Sequence, residues 1–270
     1  MSEQHNTERK KPMSLFNSIK LFIHPRVMTM LFLGFSAGVP ILLIFSTLGL
    51  WLNEAGVVKS TITFFSWAAL GYSFKFVWAP LVDRLPLPVI TKALGRRRAW
   101  MLVSQLAIMG AILLMSSVDP KASVESLTIM AYGAVLLGFS SATQDIVIDA
   151  YRIESADMDL QSMLSATYIA GYRIGMLVAG AGGLFIASYL GSTKELYSFD
   201  AWSGTYLMMA GVMLIGVATT FIINEPKSER KETEYSTTDY SRFFLLFLLI
   251  VVAFILTFIA TADFVKTAKG

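Results

Sequence analysis

Apolar residues run through this chain in blocks much longer than the stripe of a surface helix or the alternation of a strand. Seven blocks stand out, at about 27–52, 61–82, 99–118, 127–149, 164–190, 203–223 and 243–262. A helix needs roughly 20 apolar residues to cross about 30 Å of hydrocarbon, and a barrel strand needs only about half that. Backbone groups in lipid must bond within their own segment, so the blocks predict helices and an all-α, polytopic membrane helix bundle. The first block is too long for a signal-peptide core and no small-residue cleavage pattern follows it, so it reads as a retained span.

The polar stretches divide the chain. Residues 1–26 form an amino-terminal segment, 27–223 a six-span unit, 224–242 a polar linker (NEPKSERKETEYSTTDYSR), 243–262 a seventh span and 263–270 a short polar tail. The linker's charged, weakly apolar composition is that of a flexible connection. Orientation follows from Lys and Arg alone. Fifteen lie on the side of the amino terminus: Arg9, Lys10, Lys11, Lys20, Arg26, Arg84, Lys92, Arg96, Arg97, Arg98, Arg152, Lys227, Arg230, Lys231 and Arg242. Five lie on the other: Lys59, Lys121, Lys194, Lys266 and Lys269. The amino terminus is therefore expected in the cytoplasm.

Composition narrows the chemistry. Charged residues are 15%, apolar residues 55% and mean hydropathy +0.61, against about a quarter charged in soluble domains. The solvent of most of this chain is lipid. A net charge of +3 is too small to point to nucleic acid. The sequence has no cysteine, which excludes disulfides, zinc–thiolate sites and a cysteine nucleophile. Both histidines, His5 and His24, precede the first apolar block, so no histidine-held metal is expected within the membrane and no cofactor is expected at all.

Four ionisable residues fall inside or near the ends of spans: Lys75, Asp145, Asp149 and Arg173. Each costs roughly 2.5–3.5 kcal/mol at a helix centre, and two are basic and two acidic, so they can neutralise one another. Lys75 lies eight residues before Asp83, roughly 12 Å along a helix. Asp145 is at a similar depth before Arg152, and Arg173 is about 14 Å into span five by the same rise. Asp149 is nearer the surface, at contact spacing from Arg152. Gly138, Ser141, Asp145, Asp149 and Arg152 share one arc of span four. In span five Gly171, Gly175, Ala179 and Gly183 make a stripe suited to close packing, with Arg173 on the opposite face. Lys75 shares its face with Ala68, Gly71, Tyr72, Trp78 and Ala79. These positions read either as a structural salt-bridge network that fixes helix register or as a polar cavity in a transport path.

The segments PLVDR (80–84) and GRRRAW (95–100) between spans two and three resemble the cytoplasmic loop signature of the major facilitator superfamily. By that resemblance Asp83, Arg84, Gly95, Arg96 and Arg97 form a cytoplasmic gate. The loop is longer than the general pattern by residues 85–94. A subfamily with the same longer loop, the AmpG muropeptide permeases, is matched by LGFSAGVP (33–40), FKFVWAPLVDR (74–84), GRRRAW, SSATQDIVIDAY (140–151) and GYRIGMLVAG (171–180). The resemblance implies proton-coupled import of anhydro-muropeptides across the bacterial inner membrane. Lys75, Arg173, Tyr72, Trp78, Gln144 and Tyr172 are then the expected substrate-binding residues, with Asp145 and Asp149 coupling protons. It also implies two six-span halves, so the chain reads as an amino-terminal half plus one helix, completed by a carboxyl-terminal half or a second subunit.

Rival readings keep the fold and change the cargo to a siderophore, acetyl-CoA or a peptide, or make the chain a non-transporting half-protein. An intramembrane aspartyl protease needs carboxylates on separate facing helices. Asp145 and Asp149 share one helix face, and no GxGD segment occurs.

Overall fold

A computed structural model describes residues 24–65, 70–156 and 158–226, together with scattered positions between 236 and 253. Most of the expected amino-terminal segment, of the linker and of the seventh span at 243–262 lies outside the described residues. Five helices are long and apolar enough to cross a membrane: α1 (Pro25–Glu54), α6 (Arg96–Ser116), α7 (Val124–Ser155), α8 (Met158–Tyr189) and α9 (Phe199–Ile222). They correspond to expected spans one and three to six.

Span two takes another form. It is described as α2 (Lys59–Phe65), α3 (Leu70–Phe74), a 3-10 turn at Lys75–Val77 and α4 (Ala79–Arg84). Pro80 has no N–H to give to the carbonyl one turn back, and its ring collides with that carbonyl. The chain therefore restarts as a new helix with proline in its first turn, where the missing donor costs nothing. A short α5 (Ile90–Leu94) follows in the loop before α6.

The long helices start where local chemistry allows. Ser123 caps α7, its Oγ accepting from Ser126 N at 3.0 Å, and Ser198 caps α9 by accepting from Ala201 N at 3.3 Å. Such caps satisfy amides that have no partner within the helix. Gly95 stands before α6 with φ +88°, a conformation that favours glycine, and offers no side chain to cap it.

Two helices are widened within their spans. α1 contains a π turn at Leu43–Thr47 a few residues after Pro40, and α8 contains one at Val178–Gly182. The two turns meet, with Thr47 Oγ1 donating to the carbonyl of Ala179 at 2.9 Å.

Below that level α1 and α8 touch backbone to backbone. A Cβ at Gly34 or Gly38 would strike the carbonyl of Tyr168 or Tyr172, and one at Gly171 or Gly175 would strike the carbonyl of Leu31 or Phe35. Both sets advance in the same direction along the two helices, so α1 and α8 run parallel. Without a hydrophobic drive between helices in lipid, close backbone approach supplies the attraction. The expected small-residue stripe of span five is thus a seam, and glycines of span one complete it.

Two apolar clusters fill the bundle. One surrounds Leu43, Trp51, Ile108, Met115, Trp202 and Tyr206; the other surrounds Val27, Leu33, Trp78, Met101, Val147 and Leu164. Buried polar residues lie between them in chain position on four helices: Ser36, Gln105, Ser141, Gln144 and Thr220. Gln144 Nε2 donates to Ser36 Oγ at 3.0 Å, and Thr220 Oγ1 donates to Gln105 Oε1 at 2.9 Å. Buried polar groups that find each other in this way fix register, because slipping would leave them unpaired.

Candidate functional site

Span two and α7 meet at a charged pair. Lys75, in the first position of the 3-10 turn, brings Nζ to 3.7 Å from Asp145 Oδ2. The lysine side chain is 37% exposed and the aspartate 9%, so one partner reaches open space while the other stays in the packing. Tyr168 of α8 approaches from the other side, its hydroxyl donating to Asp145 Oδ1 at 3.5 Å. Each carboxylate oxygen therefore faces a different helix. Such a carboxylate needs compensation in low dielectric, and Lys75 and the Tyr168 hydroxyl supply it from two sides.

Tyrosines surround the pair. Tyr72 donates to Ser141 Oγ at 2.6 Å, and the Tyr168 and Tyr172 rings lie 6.0 Å apart on successive turns of α8. Tyr168 and Tyr172 are held in place because their backbone is what Gly34 and Gly38 pack against.

A second cluster ties the helix ends where the Lys- and Arg-rich loops lie. Arg97, with a side chain only 4% exposed, binds Asp83 Oδ1 through Nη1 at 2.7 Å and Glu154 Oε1 through Nη2 at 2.6 Å. Its Nε also donates to Glu154 Oε2 at 2.9 Å, completing a planar two-point contact. Glu225, just past α9, accepts from Arg97 N at 2.7 Å and from Arg98 N at 3.0 Å. That carboxylate supplies the cap that Gly95 cannot, at the positive end of α6. A Cβ at Gly95 would run into the Glu225 side chain. Arg98 reaches the other way, donating to the carbonyls of Thr220 and Phe221 at 2.9 Å each. Spans two, three, four and six are joined at this one place.

A scan of family models matches residues 30–267 to the Major Facilitator Superfamily. The chain belongs to the Major Facilitator Superfamily. Among curated proteins it is 37% identical over 210 residues to "Putative transporter AmpG 4" of Rickettsia felis, covering 78% of this chain and 47% of that protein. It is 35% identical over 209 residues to the "Anhydromuropeptide permease" of Escherichia coli K12, covering 77% of this chain and 39% of that one. An uncharacterized protein of Haemophilus influenzae is 35% identical over 219 residues, with 80% and 48% covered. The chain thus spans about half the length, or less, of the curated relatives it matches.

Within this facilitator chain the residues singled out from the sequence fall into three groups. Lys75, Asp145, Tyr72 and Tyr172 come together around one site. Asp149 keeps to its local partner, receiving Arg152 Nη2 at 3.4 Å, while Arg152 Nη1 also donates to Ser165 at 2.8 Å. Asp83, Gly95 and Arg97 meet in the second cluster.

The rest are placed differently. Arg173 is exposed on the flank of α8 away from the glycine seam, with Nη1 3.8 Å from Met176 Sδ, and its described contacts do not include Asp145. Its helical phase separates it from the face that carries Tyr168. Trp78 is 6% exposed, donates to Thr143 Oγ1 at 3.2 Å and packs its ring 4.6 Å from that of Phe139. It is part of the packing and presents no open face. Gln144 is wholly buried on Ser36. Arg84 is exposed, and Arg96 has a buried Nε without a hydrogen-bond partner, so Arg98 rather than Arg96 carries the contact to span six. A cavity of about 660 Å³ lined by Ile153, Ala156, Met158, Asp159 and Gln161 lies at the α7–α8 turn and not at the charged pair.

Tyr168, Glu154, Arg98 and Glu225 are the contributors that sequence reasoning missed. Glu225 had a visible signal, an acidic residue just after the sixth apolar block. Tyr168 had one too, lying one turn before Tyr172.

Proposed function

We propose that this chain forms the amino-terminal six-span part of a proton-coupled importer of anhydro-muropeptides in the bacterial inner membrane, with its amino terminus in the cytoplasm. The observation that supports this reading best is the half-open Lys75–Asp145 pair, 3.7 Å apart with its lysine 37% exposed. In this reading Asp145 takes a proton, the attraction to Lys75 falls, and the freed ammonium is available to a peptide carboxylate. Tyr72 and Tyr172 offer ring faces to the sugars, and Arg173, open on α8, offers a second cation where the substrate's remaining carboxylates extend. Asp149, one turn nearer the cytoplasm on α7 and 48% exposed, passes the proton on to water, with Arg152 holding its carboxylate in place. Asp83 and Arg97 hold the cytoplasmic ends together while the site faces outward. The similarity to a protein named anhydromuropeptide permease supports the cargo, and the excess of Lys and Arg on one side supports the orientation. The remainder of the pathway is supplied by a carboxyl-terminal half or a second subunit.

Uptake of labelled anhydro-muropeptide into cells expressing the gene tests the reading. Uphill accumulation that collapses with a protonophore and with Asp145→Asn is expected. Accumulation unaffected by Asp145→Asn rejects the proton role. Competition by a siderophore, acetyl-CoA or a simple peptide, without competition by muropeptide, rejects the cargo.

A further inference from the structure

The break in span two falls on the residue that carries its charge. Phe74 and Trp78 flank the turn Lys75–Val77 with φ/ψ of −101°/6° and −103°/−4°, in the sparsely populated region between helix and extended backbone. The two sides of this break are held differently. On the cytoplasmic side Trp78 is locked by Thr143 and Phe139, Val82 is 2% exposed, and Asp83 binds Arg97. On the other side, among the described residues, the span meets α7 at its base through Tyr72–Ser141 and Lys75–Asp145. Farther out, Thr61 and Phe65 face Val124, Leu127, Ala131 and Val135 of α7 across an apolar cavity of about 290 Å³.

The widened turns of α1 and α8 are braced by comparison. Tyr206 donates to the carbonyl of Leu43 at 3.0 Å, and Thr47 donates to that of Ala179. The outer end of α1 is clasped as well, Glu54 Oε2 accepting from Ser192 Oγ at 2.6 Å and from Trp202 Nε1 at 2.7 Å.

We propose that Phe74–Trp78 is a hinge and that the Lys75–Asp145 pair is the latch holding the outer arm of span two, α2 and α3, against α7. Loss of the pair swings that arm away from α7 and widens the apolar gap, while α4 stays anchored through Trp78 and Asp83. A few residues that absorb a backbone change while both flanks stay intact are how hinges work. The inference rests on the reading of Lys75 and Asp145 as the working pair and gives that pair a mechanical output.

The absence of native cysteine makes introduced ones unique labels. In the full chain in lipid nanodiscs, spin labels on Val58→Cys and Val124→Cys, 69% and 82% exposed, report the outer gap. Labels on Val89→Cys and Ile153→Cys, 80% and 63% exposed, report the cytoplasmic end. Asp145→Asn is expected to add a longer-distance population to the outer pair and leave the cytoplasmic pair unchanged. Lys75→Gln is expected to do the same, which separates a latch effect from a folding defect of one variant. An outer distribution unchanged in both variants, or both label pairs moving together, overturns the hinge. The distances need no transport, so failed uptake with an intact latch response rejects the functional reading alone.

Discussion

Arg97 and Glu154 are joined at two points, Nε to Oε2 at 2.9 Å and Nη2 to Oε1 at 2.6 Å. The contact links the first turn of α6 to the last turn of α7, and Asp83 completes it from span two. A lysine at this position keeps the charge but has no planar fork. Arg97→Lys is expected to lose about 2 kcal/mol, the scale of a hydrogen bond to a charged group. Arg97→Gln is expected to lose about 3 kcal/mol, because Asp83 and Glu154 both lose the guanidinium they share. Thermal unfolding of the purified protein in detergent measures both.

The glycine seam gives a sharper contrast. Gly38→Ala puts a methyl group into the carbonyl of Tyr172 and is expected to cost about 1–3 kcal/mol, as overpacking does. At Gly110 of α6 no atom of another described element lies within 4 Å of the added carbon, so Gly110→Ala is expected to stabilise by about 0.5 kcal/mol through the unfolded chain. Melting temperatures of the two variants should move in opposite directions.

Glu225 reaches two amides of α6 from the far end of α9. Glu225→Ala is expected to cost about 1 kcal/mol, the usual loss for a helix cap. Hydrogen exchange of the first turn of α6 should rise with it, whereas the first turn of α7, capped by its own Ser123, should not change.

At the opposite end Tyr197 donates to Asp119 Oδ1 at 2.6 Å and accepts from Trp51 Nε1 at 3.3 Å. Burial, followed by the bond to Asp119, raises the phenol above its ordinary range. A group whose folded value is raised contributes stability that is complete below its unfolded value, about 10 for tyrosine, and is lost as pH climbs beyond it. Tyr197→Phe is therefore expected to cost about 1 kcal/mol near neutrality. The gap to the unsubstituted protein should narrow above about pH 10, read by denaturation at a series of alkaline pH values.

Hydropathy located spans one and three to six because length in lipid is a property of one segment at a time. The block at 61–82 was expected as one span; its described residues form α2, α3, a 3-10 turn and α4, because Pro80 and the packing of Trp78 decide where the helix stops. Phase correctly put the glycines of span five on one face and Arg173 on the other. It could not say that the face with Arg173 misses Asp145, because the rotation of α8 is set by Gly34 and Gly38 on another helix. Lys75 and Asp145 were legible from depth alone. Glu154 was hidden because α7 continues to Ser155, past the end of its apolar block. Tyr168 was visible only as a tyrosine one turn before Tyr172; its contact with Asp145 depends on how α8 is rotated.

The parallel contact of α1 with α8 also governs how the chain is made. Thr47 and Ala179, at the top of that contact, are 132 residues apart in sequence. At ribosomal speed the second arrives on the order of ten seconds after the first. During that interval the notched side of the first helix has only lipid, or the insertion machinery, to lie against. Assembly of the bundle therefore cannot begin with its tightest joint, and quality control has a window in which to recognise an orphaned first helix.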